Sequence, residues 1–358
     1  MATYYWVGGA GTWNTSSTTN WSTASGGAGG SGPPTSADDV IFNSASNATS
    51  YTVTIATAVC RSWTVAGPAS GTVTFSGTGG ISIYGNVSLP ATGCSIGTLG
   101  GFTFAATTTG WTITTNGVSL AGNALIFNGS GGAWTLGSAL TSTSAVTFTN
   151  GTFNTGNFNC TNTAWTNSGT GTNAINLGSA TISLTATNPW GFATTTGLTF
   201  NAGTSSITVV GGTFAGGGLT YNNVTNTYAA VTNSNITGAN TFANFTMSAP
   251  SVVGARSFGI GSNQTITGTF SVNGANYIQR IFLNSLTAGT QYTITAATVS
   301  ISYCDFLDIV GAGAGTWSGT SIGNCGNNSG ITFTASKTVY WNLAGTQNWS
   351  ATGWATTS

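Results

Sequence analysis

Charge is what this sequence lacks. Its 358 residues hold four Lys or Arg, four Asp or Glu and no His, and the acids are all aspartates: Asp38, Asp39, Asp305 and Asp308. General acid–base catalysis, metal ligation and nucleophile activation draw on His, paired carboxylates or a perturbed Lys or Cys, so no catalytic residue, no metal site and no cofactor site is expected. Zero formal net charge excludes a phosphate-tracking stripe, hence nucleic acid and anionic membrane surfaces as partners. No run of about 18 apolar residues is present, which excludes membrane insertion by a helix. The opening Met1-Ala-Thr-Tyr-Tyr-Trp6 has neither the basic nor the apolar region of a secretory signal, so, for a natural start at Met1, folding in a cytoplasm or export by a route that leaves no N-terminal mark is expected.

Cysteine is also scarce. Cys60, Cys94, Cys160, Cys304 and Cys325 are odd in number and scattered without metal-site spacing, which fits a reducing compartment and buried thiols. A Cys304–Cys325 disulfide is the one pairing left open.

What remains is Gly, Thr, Ser, Asn and aromatics. A hydrophobic fraction of 40%, with 11% aromatic, separates the chain from disordered sequences, which combine low hydrophobicity with high net charge. The ruling pattern is a two-residue alternation of apolar side chains with Thr or Ser, broken by Gly/Asn turns, as in Tyr51-Thr-Val-Thr-Ile55, Val146-Thr-Phe148, Ile182-Ser-Leu184 and Ile207-Thr-Val209. These are strands, and no segment has helical periodicity.

Short strands at such spacing fit a β-solenoid or a series of tandem β-sandwich modules. Phe75, Phe104, Phe127, Phe148 and Phe200 close similar phrases at intervals of 29, 23, 21 and 52 residues, the last read as two turns. A rung of roughly 20 to 30 residues is the size of one coil of a parallel β-helix, so an all-β, β-solenoid fold is expected, with apolar residues inside and Thr, Ser and Asn ladders outside.

A second repeat joins the ends. Thr3-Tyr-Tyr-Trp-Val-Gly-Gly-Ala-Gly-Thr-Trp13 with Asn20-Trp-Ser22 returns as Thr338-Val-Tyr-Trp-Asn-Leu-Ala-Gly-Thr-Gln-Asn-Trp-Ser350 with Trp354. Residues 1–45 are read as a Trp-rich cap or first coil, 46–336 as the solenoid body, and 337–358 as a partial restart, implying a module of about 335 residues that can occur in tandem.

The phrases Tyr5-Trp-Val-Gly-Gly-Ala-Gly-Thr-Trp13, Asp38-Asp-Val-Ile-Phe42, Gly131-Gly-Ala-Trp-Thr-Leu136 and Asn327-Asn-Ser-Gly-Ile-Thr-Phe333 together resemble large, mostly uncharacterised β-solenoid proteins of environmental bacteriophages and some bacteria. The resemblance implies a virion surface protein, a tail fibre or capsid decoration made in the host cytoplasm; the alternative is a bacterial extracellular or cell-surface adhesin or matrix protein. Expected partners are further copies of the chain, a homotrimer among the forms considered, other virion proteins, and surface glycans.

Two sets of residues are candidates for chemistry. Asp305 and Asp308 are the nearest thing to an acidic pair, yet residues three apart on a strand point to opposite faces, as do the neighbours Asp38 and Asp39, so for all four turn capping or pairing with Arg280, Arg256 or Lys337 is expected instead. A polysaccharide-cleaving tailspike therefore ranks low. An ice-binding surface ranks low too, because Thr-X-Thr is not strictly repeated. Trp63, Trp111, Trp134 and Trp165 sit in strand-like phrases and are assigned to the core. Trp6, Trp13, Trp21, Trp341, Trp349 and Trp354 cluster near the ends and are the candidate interaction or module-junction residues. Sequons at Asn14, Asn20, Asn47, Asn86 and Asn128 are frequent by chance in such a composition, and calcium-binding repeats lack the Asp they require.

Overall fold

A computed structural model describes residues 1–120, 124–167, 171–227, 233–334, 338–346, 348, 350 and 352–355. Among them there is no helix; the chain winds as a parallel β-solenoid of about 11 turns. The sandwich alternative fails on strand direction. A sandwich is built from antiparallel neighbours, whereas here consecutive coils pair in parallel, as Val40↔Trp63, Val87↔Ile113 and Phe127↔Phe148 do.

The first strands show how a coil is made. β1 (Thr3–Trp6), β2 (Gly11–Trp13) and β3 (Trp21–Ser22) form the opening phrase, and β4 (Asp39–Phe42) and β5 (Tyr51–Ile55) the first full coil. β4 adds in parallel to β1, and β5 in parallel to β2, so the N-terminal segment is continuous with the coil that follows it. After β5 the chain turns into Ala58–Cys60 and then Trp63–Val65, which lies back on β4. Each turn therefore contributes to three faces: the β1/β4 face, the β2/β5 face, and a third face that begins at Ala58–Cys60.

Alternation decides which side chains enter. In β5 the order buried, exposed, buried, exposed, buried follows Tyr51, Thr52, Val53, Thr54, Ile55, because successive residues of a strand point to opposite sides. Stacking then brings like residues into line. Phe104, Phe127 and Phe148 sit on adjacent coils with near-parallel rings, 4.6 and 5.6 Å apart; Trp165, Trp190 and Phe214 form a second column at 5.9 and 5.5 Å. The spacing of 23 and 21 residues thus reports true neighbours, but the other two intervals do not. Phe75 belongs to the β2/β5 face, against Val53 and Ile96, while Phe200 aligns through Ile175 with Phe153 and not with Phe148.

That displacement arises where two long strands, Leu125–Leu136 and Val146–Asn154, turn a corner without interruption and so serve two faces each. The corner needs glycine at 151, which has φ +90° and would place a Cβ 2.4 Å from the carbonyl oxygen of Gly129. Charge is handled locally. Arg61 makes a bidentate pair with Asp39, Nε to Oδ1 at 2.7 Å and Nη2 to Oδ2, and Arg280 does the same with Asp305, both contacts at 2.7 Å. The Asp305 partner is among those expected; Arg61 was not. All five cysteines are free, so the Cys304–Cys325 bridge is not formed: Cys304 is buried, with its thiol toward the carbonyl of Val272, and Cys325 is exposed.

Candidate functional site

The described residues of the repeated terminal phrase form the same antiparallel pair twice. At the start β1 pairs antiparallel with β3, Tyr5↔Ser22 and Trp6↔Trp21. Near the other end Tyr340–Trp341 pairs antiparallel with Trp354–Ala355, Tyr340↔Ala355 and Trp341↔Trp354. The Trp6 and Trp21 rings meet edge to face at 5.0 Å, those of Trp341 and Trp354 at 5.1 Å. Even the next backbone bond is kept, Val7 N–H to Asn20 O in one and Asn342 N–H to Gly353 O in the other, both 2.8 Å.

Their surroundings differ. Phe42 of β4 stacks on Trp6 at 5.4 Å, Trp13 packs edge-on against Trp21 at 5.5 Å, and Trp6, Trp13 and Trp21 are fully buried. The structure brings these three together and removes their faces from any ligand. In the second hairpin Tyr340 and Trp341 remain 43% and 36% exposed, next to exposed Val339 and Leu343, because among the described residues the two strands form a sheet of their own with no counterpart of β4. Trp354 is half-buried; Trp349 lies outside the described residues. Of the tryptophans assigned to the core, Trp63, Trp134 and Trp165 are fully buried and Trp111 is half-buried, packed against the core.

The aspartates are separated by their partners. Asp305 is held by Arg280 on the outside of its strand, while Asp308, buried at the next corner with φ +59°, accepts from the Gly289 N–H at 2.9 Å and Asn327 Nδ2 at 2.6 Å. Asp38 caps the opening turn, accepting from the Ala2 N–H, the Thr35 N–H and the Thr35 hydroxyl. Burial pushes the Asp38 carboxyl up, but the Thr35 and Ala2 hydrogen bonds outweigh it and hold the group below the ordinary aspartate range. Asp39 follows the same logic: burial raises it, and the Arg61 and Ser62 contacts bring it down.

A further arrangement is visible only in three dimensions. On the outside of the β1/β4 face a row of polar side chains runs from coil to coil. The Ser62 N–H donates to Asp39 Oδ1 (3.2 Å), the Asn86 N–H to Ser62 Oγ (3.3 Å), and the Thr112 N–H to Asn86 Oδ1 (2.8 Å). Thr112 is in register with Thr135; Asn154 Nδ2 donates to Thr135 Oγ1 (3.3 Å), Asn176 Nδ2 to Asn154 Oδ1 (2.7 Å), and Asn201 follows in register. Outer ladders were expected in general; that a row would run along this face was not, since residues 19 to 26 apart in sequence become neighbours only once the corners are known. The recurrence of Phe153-Asn154, Ile175-Asn176 and Phe200-Asn201 was the available signal.

Compared with protein-family models, curated proteins and solved structures, the chain matches none.

Proposed function

We propose that this chain is a non-enzymatic structural rod of a bacteriophage particle, a tail fibre or surface decoration. The observation that carries the reading is the parallel pairing of strands from coil to coil through about 11 turns, together with the hairpin that opens the stack and recurs near its end. At about 4.8 Å per coil the stack is on the order of 50 Å long, and each coil is held by its neighbours in the manner of repeat proteins. Nearly neutral faces suit lateral association, and a hairpin whose twin is buried under a first coil suits end-to-end repetition of the module. The phage setting rests on the resemblance of its Gly-, Trp- and Asn-rich phrases.

The test is immunogold labelling with antibodies against the chain. Labelling of intact particles at a defined position supports the reading. Labelling of uninfected bacterial surfaces would overturn it in favour of an adhesin, the second reading, which the same neutral rod also serves. Sedimentation velocity addresses self-association: a monomer at every accessible concentration removes the oligomeric part.

A further inference from the structure

Three shallow troughs lie along the β1/β4 face and its continuation. The first, about 370 Å³, is bordered by the Asp39–Arg61 pair, Asn86, Trp111 and Thr112. A smaller one of about 150 Å³ follows at Thr152, Ala174 and Thr199. The third, about 380 Å³, is bordered by Phe200, Asn201, Thr220 and Thr241. Strands in lateral register place them in one line: Thr152↔Ala174↔Thr199 belong to the strands that also carry Asn154, Asn176 and Asn201. From Asp39 to Asn201 the polar row covers about 34 Å at about 4.8 Å per strand.

The lining selects its ligand. Asp39 and Arg61 neutralise each other, so the line offers no counter-charge to a polyanion. Hydroxyls and amides held in sequence present donors and acceptors at a fixed pitch, which suits partners whose own hydroxyls both give and accept. Two half-buried rings, Trp111 midway along the row and Phe200 at its far end, border the first and third troughs and supply apolar surface for the C–H faces of sugar rings. A protein partner would instead require an apolar interface centre, which small Thr, Ser and Asn side chains do not provide. We infer that this face binds an extended, uncharged polysaccharide. The assignment goes beyond the structural reading, because a rod needs no such ligand.

Isothermal titration of the full chain with laminarin, dextran and galactomannan, and with alginate and heparin as charged polymers, tests it. Saturable binding of a neutral polymer, insensitive to salt, is expected, with tighter binding of long chains than of hexamers because successive troughs act together. Thr112→Arg and Asn201→Arg put long side chains across the first and third troughs from exposed positions; combined, they are expected to weaken binding at least tenfold. Thr54→Arg and Thr161→Arg, exposed on the β2/β5 face and its continuation, should change it less than twofold. If an arginine lowers the denaturation midpoint, Asn201→Ala replaces it, with a loss of threefold or more expected. The inference is overturned if no neutral polymer binds, if alginate or heparin binds more tightly, or if the control face is equally sensitive. Particle labelling without glycan binding would remove this inference and leave the rod; glycan binding without particle labelling would do the reverse.

Discussion

Replacing Phe127 by alanine removes the ring on which one stretch of the coil is stacked. Phe127 is 2% exposed and touches Phe104 at 4.6 Å, Phe148 at 5.6 Å, Phe153 at 4.6 Å and Trp134 at 5.9 Å. A buried Phe→Ala change costs about 3–5 kcal/mol, lost transfer energy plus the cavity left between rigid coils. Relaxation is restricted here because each neighbouring ring is itself stacked on the next coil. A loss of about 4 kcal/mol is a large share of the roughly 5–15 kcal/mol that keeps a domain folded. In a one-dimensional stack it also weakens one interface more than the others, so unfolding is expected to split into two steps on either side of this coil. Urea denaturation followed by tryptophan emission and by limited proteolysis reads both effects: a lower midpoint, a shallower first transition, and early cleavage near residue 127. Phe158→Ala, at a ring 40% exposed, serves as control and should shift stability by less than about 0.5 kcal/mol. A loss below about 1 kcal/mol for Phe127→Ala, in a single transition of unchanged steepness, refutes the stacking argument.

Stability should be level between about pH 5 and 8, since the chain has neither His nor Glu to titrate there. Asp38 and Asp39 are held below their ordinary value of 3.8 in the folded state, so their contribution is complete above about pH 4 and is lost as pH falls through the depressed values. Tyr51, Cys94 and Cys304 are pushed up to about 12 by burial, so stability is present below about pH 9 and declines as pH rises toward 12; chemical denaturation across pH checks both limbs, and a maximum near pH 6 with steep sides contradicts them. In the native protein Ellman's reagent should titrate Cys325 rapidly and the buried Cys60, Cys160 and Cys304 only after unfolding; rapid reaction of all five would refute the burial. Trp341→Phe should remove much of the acrylamide-quenchable, red-shifted emission with a stability change below about 0.5 kcal/mol, whereas Trp6→Ala should cost about 3–5 kcal/mol in a denaturant titration; similar costs for the two would show that the hairpins share one environment.

Local features were readable wherever the physics is local. Tyr51–Ile55 alternates in sequence and alternates in burial, because a strand's side chains point to opposite sides whatever surrounds them. The Trp6 and Trp341 phrases look alike and form the same antiparallel pair. The faces were not readable. Phe75 and Phe104 end similar phrases yet stand on different faces, since which side a strand joins depends on how many residues each corner consumes. Asp39 was matched to the wrong cations because Arg61, 22 residues later, reaches it only through the coil register.

The sequence by itself determined that this protein is all-β, almost uncharged and built of short repeating strands with a duplicated tryptophan phrase, because composition and two-residue periodicity are properties of the chain alone. The tertiary structure decided that the strands stack in parallel on three faces, that one tryptophan hairpin is sealed under Phe42 while its twin is exposed, and that a row of amides and hydroxyls lies along one troughed face. The reason is register. After the opening phrase, strand partners on successive coils are about 17 to 30 residues apart, and only the completed corners set which of them meet.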